Sequence, residues 1–378
     1  MVRKISNKKR HKIKISFLNI LLIVLLAILV VRVATTQFIL STLNEKLRPA
    51  EIMVTVIENP NCTECVNYFT ELSRISDAYV KIKENKTLSF SSVEGKQLVQ
   101  KYNIRKLPTI VVTGEINKTQ DLQLLWGQLN GDMKNSSLVI IEPDAPYFDL
   151  STDSVKGLVK LTKIVDSSCE KCAKLDNVIN QFRSIGVRFV DEKDIDYTSS
   201  EAQSLMQKFA IRRIPAMILS KDITEYRAIQ SFWSQLNATL KEGFYALHTT
   251  IPPYRDLETN TIKGLVELIL LIDNSCTTCY NVSIHKSILS GMGIVIVKES
   301  NFDISSDQGK SLISKYNITA VPTILLSPDV IEYTFFASPT ATQLFTKHAD
   351  GWFVFTSTDW MRRNGGYKDL TTGSVITR

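Results

Sequence analysis

The sequence predicts an α/β protein made of three tandem copies of one unit, each a central mixed sheet flanked by helices, after a single apolar N-terminal helix. Three observations predict it. The six cysteines occur as Cys62/Cys65, Cys169/Cys172 and Cys276/Cys279, and the pairs advance by 107 residues. Each first cysteine is followed 46 residues later by a proline, Pro108, Pro215 or Pro322, with the same period. Short β-branched runs alternate with helix-period segments from residue 51 onward, whereas Ile15–Val31 is one apolar stretch. A constant period with constant internal spacing means one unit copied three times. Two thiols kept at fixed spacing in every copy point to thiol–disulfide chemistry.

The chain opens with Arg3, Lys4, Lys8, Lys9, Arg10, Lys12 and Lys14 and no acid, which sets residues 1–14 apart as a basic tail. The apolar run Ile15–Val31 is interrupted only by Ser16 and Asn19. At about 1.5 Å per residue it reaches ~26 Å, near the lower limit for crossing a bilayer. The basic flank predicts a cytoplasmic N-terminus and exported C-terminal domains. Arg32, two before Ala34, spoils a small-x-small cleavage site, so an uncleaved anchor over 15–33 is favoured over a signal peptide. Residues 34–50 read as a short stalk. The net charge of +7 equals the seven basic residues of the tail, so the remainder is balanced. That balance argues against a nucleic-acid partner.

Within each copy the elements follow in a fixed order. Ile52–Ile57 is a β-branched run stopped by turn residues, and Lys156-Gly157-Leu158-Val159 and Lys263-Gly264-Leu265-Val266 open its equivalents. The first cysteine follows. Helical spacing comes next (Leu175, Val178, Ile179 and Phe182), and then a second strand at Val187–Val190 or Ile294–Val297. Ser91…Glu94, Thr198…Glu201 and Ser305…Gln308 read as capping boxes opening a second helix. The proline then starts a third strand, and a fourth lies near Leu138–Ile141, Phe244–Leu247 or Trp352–Phe355, with a closing helix. No flexible linker separates the copies. Pro146-Tyr147-Phe148-Asp149-Leu150 and Pro253-Tyr254-Arg255-Asp256-Leu257 occupy equivalent places, and Tyr367-Lys368-Asp369-Leu370 closes the last copy. Strand-end packing is the role expected for this junction motif. The expected domains are 51–147, 148–254 and 255–378.

This order closely resembles the thioredoxin fold, with Cys-x-x-Cys opening the first helix and the family's cis-proline in Leu107-Pro108-Thr109, Ile214-Pro215-Ala216 and Val321-Pro322-Thr323. The resemblance covers roughly residues 51–378. It implies that cysteines at i and i+3 close a small disulfide loop, and that the helix N-terminus stabilises a thiolate on the first of them. It also implies that Leu107, Ile214 and Val321, with Pro108, Pro215 and Pro322, hold the substrate backbone. Cys62, Cys169 and Cys276 would attack a substrate disulfide, and Cys65, Cys172 and Cys279 would resolve the mixed disulfide. The disulfide is its own redox group, so no metal, flavin or nucleotide cofactor is implied. Thiols and disulfides of exported proteins are the expected partners, with a further redox partner and the membrane.

The copies also depart from the family pattern. Asn61, Ser168 and Ser275 stand where thioredoxin has tryptophan, and Val56, Lys163 and Leu270 stand where it has a buried acid. Asp166 and Asp273, three before the cysteine, read as turn-forming, with Asn59 in the first copy. Glu64, Glu170-Lys171 and Thr277-Thr278 between the cysteines give the three sites different thiolate environments. The alternatives are a redox-inert peptide-binding adaptor or chaperone, and a metal-carrying protein. Loss of cysteines would mark the first, and each copy lacks the second half of a zinc site. Histidines His11, His248, His285 and His348 do not follow the period.

Overall fold

The structure, a computed structural model, describes residues 17–129, 131–248 and 251–377. The basic tail and the first two residues of the expected anchor lie outside the described residues. The first helix spans Phe17–Leu47, 31 residues and roughly 46 Å at helical rise. It is long and apolar enough to cross a membrane, with a mean hydropathy of 2.4 over its most apolar window and none of that window covered by protein. Helix continues through most of the stretch expected as a stalk, because no glycine or proline interrupts it before Pro49. Its end is tied to the body of the first copy. Arg48 gives a two-pronged ion pair to Glu115 (2.6 and 2.5 Å), and Glu115 also accepts from the Glu51 N–H (2.9 Å). The Arg48 guanidinium holds the Glu115 carboxyl down to about 2.

Three similar five-stranded mixed sheets follow. The chain divides into two compact units, one holding the first sheet and one holding the other two. In the first sheet the order is Val80–Ser89, Ala50–Glu58, Thr109–Gly114, Ser137–Ile140, Gly131–Lys134. Ala50–Glu58, second in this order, runs parallel to Val80–Ser89 and antiparallel to Thr109–Gly114. The second sheet repeats the order as Arg188–Asp196, Leu158–Val165, Ala216–Ser220, Phe244–Leu247, Ala238–Lys241. The third repeats it as Val295–Asp303, Leu265–Ile272, Thr323–Leu326, Phe353–Phe355, Phe345–Lys347. Successive side chains of a strand point to opposite faces, so each sheet feeds two cores. In the second copy Leu161, Met217 and Leu219 enter one cluster, and Ile164, Ala216 and Ile218 enter the other.

Several local expectations change. The helix-capping hydroxyls belong to Ser92, Ser199 and Ser306, which accept from the N–H of Gly95 (3.0 Å), Ala202 (3.2 Å) and Gly309 (3.0 Å). The expected caps sit one residue earlier and serve the preceding turn: Thr198 and Ser305 donate to Asp196 (2.6 Å) and Asp303 (2.5 Å). Glu94 and Glu201, expected to reach back to the cap, instead pair with Lys86 and Lys193. The edge strands Gly131–Lys134 and Ala238–Lys241 were not expected. They fold back through Asn135-Ser136 and Glu242-Gly243, all at positive φ, as tight hairpins require. Only the third copy has a short helix after its fourth strand, Thr358–Arg363. The described residues of the other two continue into the junction motif instead.

The repeated Lys-Gly-Leu-Val segment also finds its reason. Gly157 and Gly264 lie at φ of +85° and +84°, and a Cβ there would sit 2.6 Å from the Cβ of Ala145 or Pro252. Tyr226 and Tyr333 donate to the carbonyls of these glycines (2.6 and 2.8 Å), fixing the strand entry.

The third copy buries His285 among Tyr280, Phe355 and Trp360, with ring centroids 5.7, 4.6 and 4.8 Å away. Burial pushes the imidazole down to about 4. A histidine that titrates lower in the fold than in the unfolded chain adds stability that is complete above about pH 6.5 and falls as pH drops toward 4. His285→Phe should therefore remove about 3 kcal/mol of pH-dependent stability loss across that range, read from denaturant unfolding at pH 7 and pH 4. An unchanged pH profile would contradict this burial.

Candidate functional site

The strands Ala50–Glu58, Leu158–Val165 and Leu265–Ile272 each end in a tight turn that carries the cysteine pair. The N–H of Cys62, Cys169 and Cys276 donates to the carbonyl of Asn59 (3.0 Å), Asp166 (3.1 Å) and Asp273 (3.0 Å). The turn brings the cysteines of each pair to Cα separations of 5.5, 5.3 and 5.5 Å, and all three pairs are disulfide-bonded and half-buried. Sequence placed these cysteines at a helix N-terminus. In the structure the helices begin later, at Phe69, Asp176 and Ile284. Buried Tyr68, Leu175 and Val282 fill the intervening segment. In the second and third copies the first N–H after the pair is used elsewhere: Ala173 donates to Pro253 (2.7 Å) and Tyr280 to Gly366 (2.9 Å). The first turn of the helix still lines the same cavity as the cysteines, through Leu72 in the first copy and Asp176 in the second.

Pro108, Pro215 and Pro322 follow cis bonds, as do Pro146 and Pro253 in the junctions. Pro108 lines a cavity of about 310 Å³ with Cys62, Cys65 and Val56. Pro215 lines one of about 240 Å³ with Cys169, Cys172 and Lys163. In the third copy the Val321 carbonyl oxygen lies 3.9 Å from the Cys279 sulfur, a contact without a proton because the sulfur is oxidised. Leu107, Ile214 and Val321 are fully buried. Their backbones pair with the junction motif of the same chain, Leu107 with Phe148, Ile214 with Arg255 and Val321 with Lys368. The junction motif is thus a strand laid against the residue ahead of each proline, more than strand-end packing.

The charges around the sites differ between copies. Asp166 has no exposed side-chain surface and accepts from Arg255 Nε (2.7 Å) and Ser168 Oγ (2.5 Å). Asp273 does the same with Lys368 Nζ (2.7 Å) and Ser275 Oγ (2.5 Å). Burial alone would raise both carboxyls, but these hydrogen bonds more than offset it and hold them below the usual carboxylate range. The first copy places Asn59 and Phe148 at these positions, and Phe148 packs on Phe90 at 5.8 Å. Lys163 occupies the position of the missing buried acid and pairs with Asp194 (2.8 Å) and Asp176 (3.8 Å), so a cation flanked by two carboxylates lines the second cavity. Sequence reasoning missed Arg255 and Lys368. The signal was available, since the acid before the cysteine and the base in the junction motif occur together in two copies and are both absent from the first.

Asp166, Cys169 and Cys172 bring potential metal-ligating atoms within 4.8 Å of one another. As the site stands, the sulfurs are bonded to each other and the carboxylate is taken by Ser168 and Arg255. A metal would have to replace both arrangements.

No family model matches the chain, and no curated protein matches it. Among solved structures it is similar to ERdj5 form II at 13% identity, covering 74% of this chain and 38% of that one, with a TM-score of 0.15. It is also similar to the alkylhydroperoxide reductase AhpF of Enterococcus faecalis (18% identity, 45% and 81% covered, TM-score 0.16). A third likeness is to the zinc-bound form of human ERp44 (12% identity, 76% and 83% covered, TM-score 0.13). The chain spans well under half of the ERdj5 structure. The fold assignment rests instead on this chain's own three similar five-stranded mixed sheets and the helices that flank them.

Asp166 and Asp273 titrate lower in the fold than in the unfolded chain. The stability they add is complete above about pH 4 and is lost as pH falls through their folded values. Asp166→Asn combined with Asp273→Asn should flatten the acid limb of the stability curve below pH 4, measured by denaturant unfolding. An acid limb of unchanged depth would show that these carboxyls are not held as described.

Proposed function

We propose that this protein is a membrane-tethered, extracytoplasmic protein thiol–disulfide oxidoreductase with three thioredoxin-like domains, 51–147, 148–254 and 255–378. The observation that carries the reading is the repeated site: a half-buried Cys-x-x-Cys disulfide at the end of a sheet strand, beside a proline distant in sequence. Reduced Cys62, Cys169 or Cys276 attacks a substrate disulfide, one substrate sulfur leaves, and Cys65, Cys172 or Cys279 then displaces the other. The substrate gains two electrons and the cysteine pair closes its own disulfide; the reverse sequence oxidises a substrate dithiol. Pro108, Pro215 and Pro322 form a wall beside the reacting sulfurs. The partners are thiols and disulfides of exported proteins, and a separate redox protein resets the pairs.

Cys172→Ser should accumulate mixed disulfides with partner proteins through Cys169, seen as thiol-sensitive adducts on non-reducing gels. The same holds for Cys65→Ser and Cys279→Ser. Absence of adducts at all three positions, together with no turnover in insulin reduction, would overturn the reading. On topology, a reporter fused after Arg378 should be accessible to external protease in intact cells, and reversing the charge of the basic tail should weaken that orientation. Protection of the reporter would overturn the assignment.

A further inference from the structure

The junction strands of the second and third copies lie where an incoming extended chain would have to lie. In the second copy Arg213 and Ile214 pair with Asp256 and Arg255, and on the other side Ala173, next to Cys172, donates its N–H to Pro253. In the third, Ala320 and Val321 pair with Asp369 and Lys368, and Tyr280, next to Cys279, donates to Gly366. Each strand is therefore gripped between the disulfide turn and the residues ahead of the proline. It is backed by a hairpin partner, Thr261–Lys263 for Tyr254–Asp256 and Val375–Thr377 for Gly366–Asp369. From its centre one cation reaches into the base of the disulfide turn. Arg255 meets Asp166 and lies over the Tyr197 ring at 5.3 Å, and Lys368 meets Asp273.

We propose that these junction strands are specificity straps: while closed, they favour small dithiols over extended protein segments at the Cys169–Cys172 and Cys276–Cys279 disulfides. Arg255 and Lys368 are the residues that hold them closed. The inference rests on the oxidoreductase reading and adds the substrate class of two of its three sites. An extended segment docks by exchanging main-chain hydrogen bonds with an open strand edge; here Ile214 and Val321 pair with the junction strand, and the Arg212 and Thr319 carbonyls accept from Leu257 and Leu370. Opening the strap also separates a cation from a buried carboxylate, which is costly. A small dithiol needs only to reach a half-buried sulfur through a cavity of about 240 Å³. Its thiolate attacks one sulfur of the pair, and the other leaves as a thiolate and takes a proton. Its second thiol then releases the first cysteine, so the dithiol is oxidised and the pair reduced. The Cys62–Cys65 site has a junction strand too, but with Asn59 and Phe148 it carries no charge lock.

The test uses full-length protein in detergent that retains only Cys169 and Cys172, with the first and third pairs replaced by serine. Its oxidised form is reacted with dithiothreitol and with a reduced, unfolded protein dithiol, and the ratio of protein rate to dithiothreitol rate is read. Arg255→Met should raise that ratio about tenfold, equivalent to ~1.4 kcal/mol of lost closure. Arg255→Lys, the charge used by the third copy, should stay near the parent ratio. Asp166→Asn is a second opening variant that does not strand a buried charge, and the first copy already uses asparagine there; it should also raise the ratio. An unchanged ratio in a folded Arg255→Met or Asp166→Asn protein that still reacts with dithiothreitol overturns the strap alone. Failure of the parent to react with either reagent overturns the oxidoreductase reading and the strap with it.

Discussion

The site depends on one strand register. Ile57 pairs with Thr109, Ile164 with Ala216 and Leu271 with Thr323, so the same antiparallel pairing recurs at both 107-residue steps. In each pair the first residue is just ahead of the cysteine turn and the second directly follows the proline. This register is what brings a proline 46 residues away in sequence up to the sulfurs. Because side chains alternate along a strand, a slip of one residue would exchange the two faces and expose the core residues. Fully buried Ile52, Val54, Ile110 and Val112 in the first copy, and Leu268 and Ile324 in the third, make such a slip costly. Core packing and the chemistry of the site are therefore set by the same pairing.

Around that shared frame the three copies vary the electrostatics. The first has uncharged Val56, Asn59 and Phe148 at the three compared positions, while Glu58 lines its cavity and Glu64 lies between its cysteines. The second places Lys163 in the cavity and an Asp166–Arg255 pair under the turn. The third has Leu270 with Asp273–Lys368. A charge a few ångströms from a sulfur changes the balance between thiol and thiolate, and the copies differ in how much charge they bury there. The tandem array is thus three versions of one disulfide site with different local fields, and the junction strands contribute to that difference directly. The tyrosines that open two of these strands are tied 78 residues onward in the chain: Tyr147 donates to Glu225 (2.7 Å) and Tyr254 to Glu332 (2.6 Å), again one period apart.

Much of this was legible in the sequence because it was written three times. The period, the strands around Ile52–Ile57 and its equivalents, and the helices follow from spacing and periodicity, and the meeting of cysteine pair and proline is what the resemblance to the thioredoxin fold implies. What escaped was decided by competition for single hydrogen bonds. Ser92, Ser199 and Ser306 became the caps because the preceding hydroxyls were drawn into the turn. In the second and third copies the N–H that follows the cysteine pair, of Ala173 or Tyr280, goes to the junction motif, and the helix starts beyond it. The junction strand itself was hidden because its pairing partner, a two-residue strand ahead of each proline, is too short to show any periodicity. Its Arg255 and Lys368 gained meaning only when set beside aspartates some ninety residues earlier.

The most direct test is a redox titration of the full-length protein in thiol/disulfide buffers, with the state of each cysteine pair read by mass spectrometry after alkylation. Three reversible two-electron transitions are expected, one at each pair, within the range poised by cellular thiols and with the fold retained on reduction. Pairs that stay oxidised at every poise, or that reduce only as their copy unfolds, would be structural cross-links and would contradict a redox role for the repeated site.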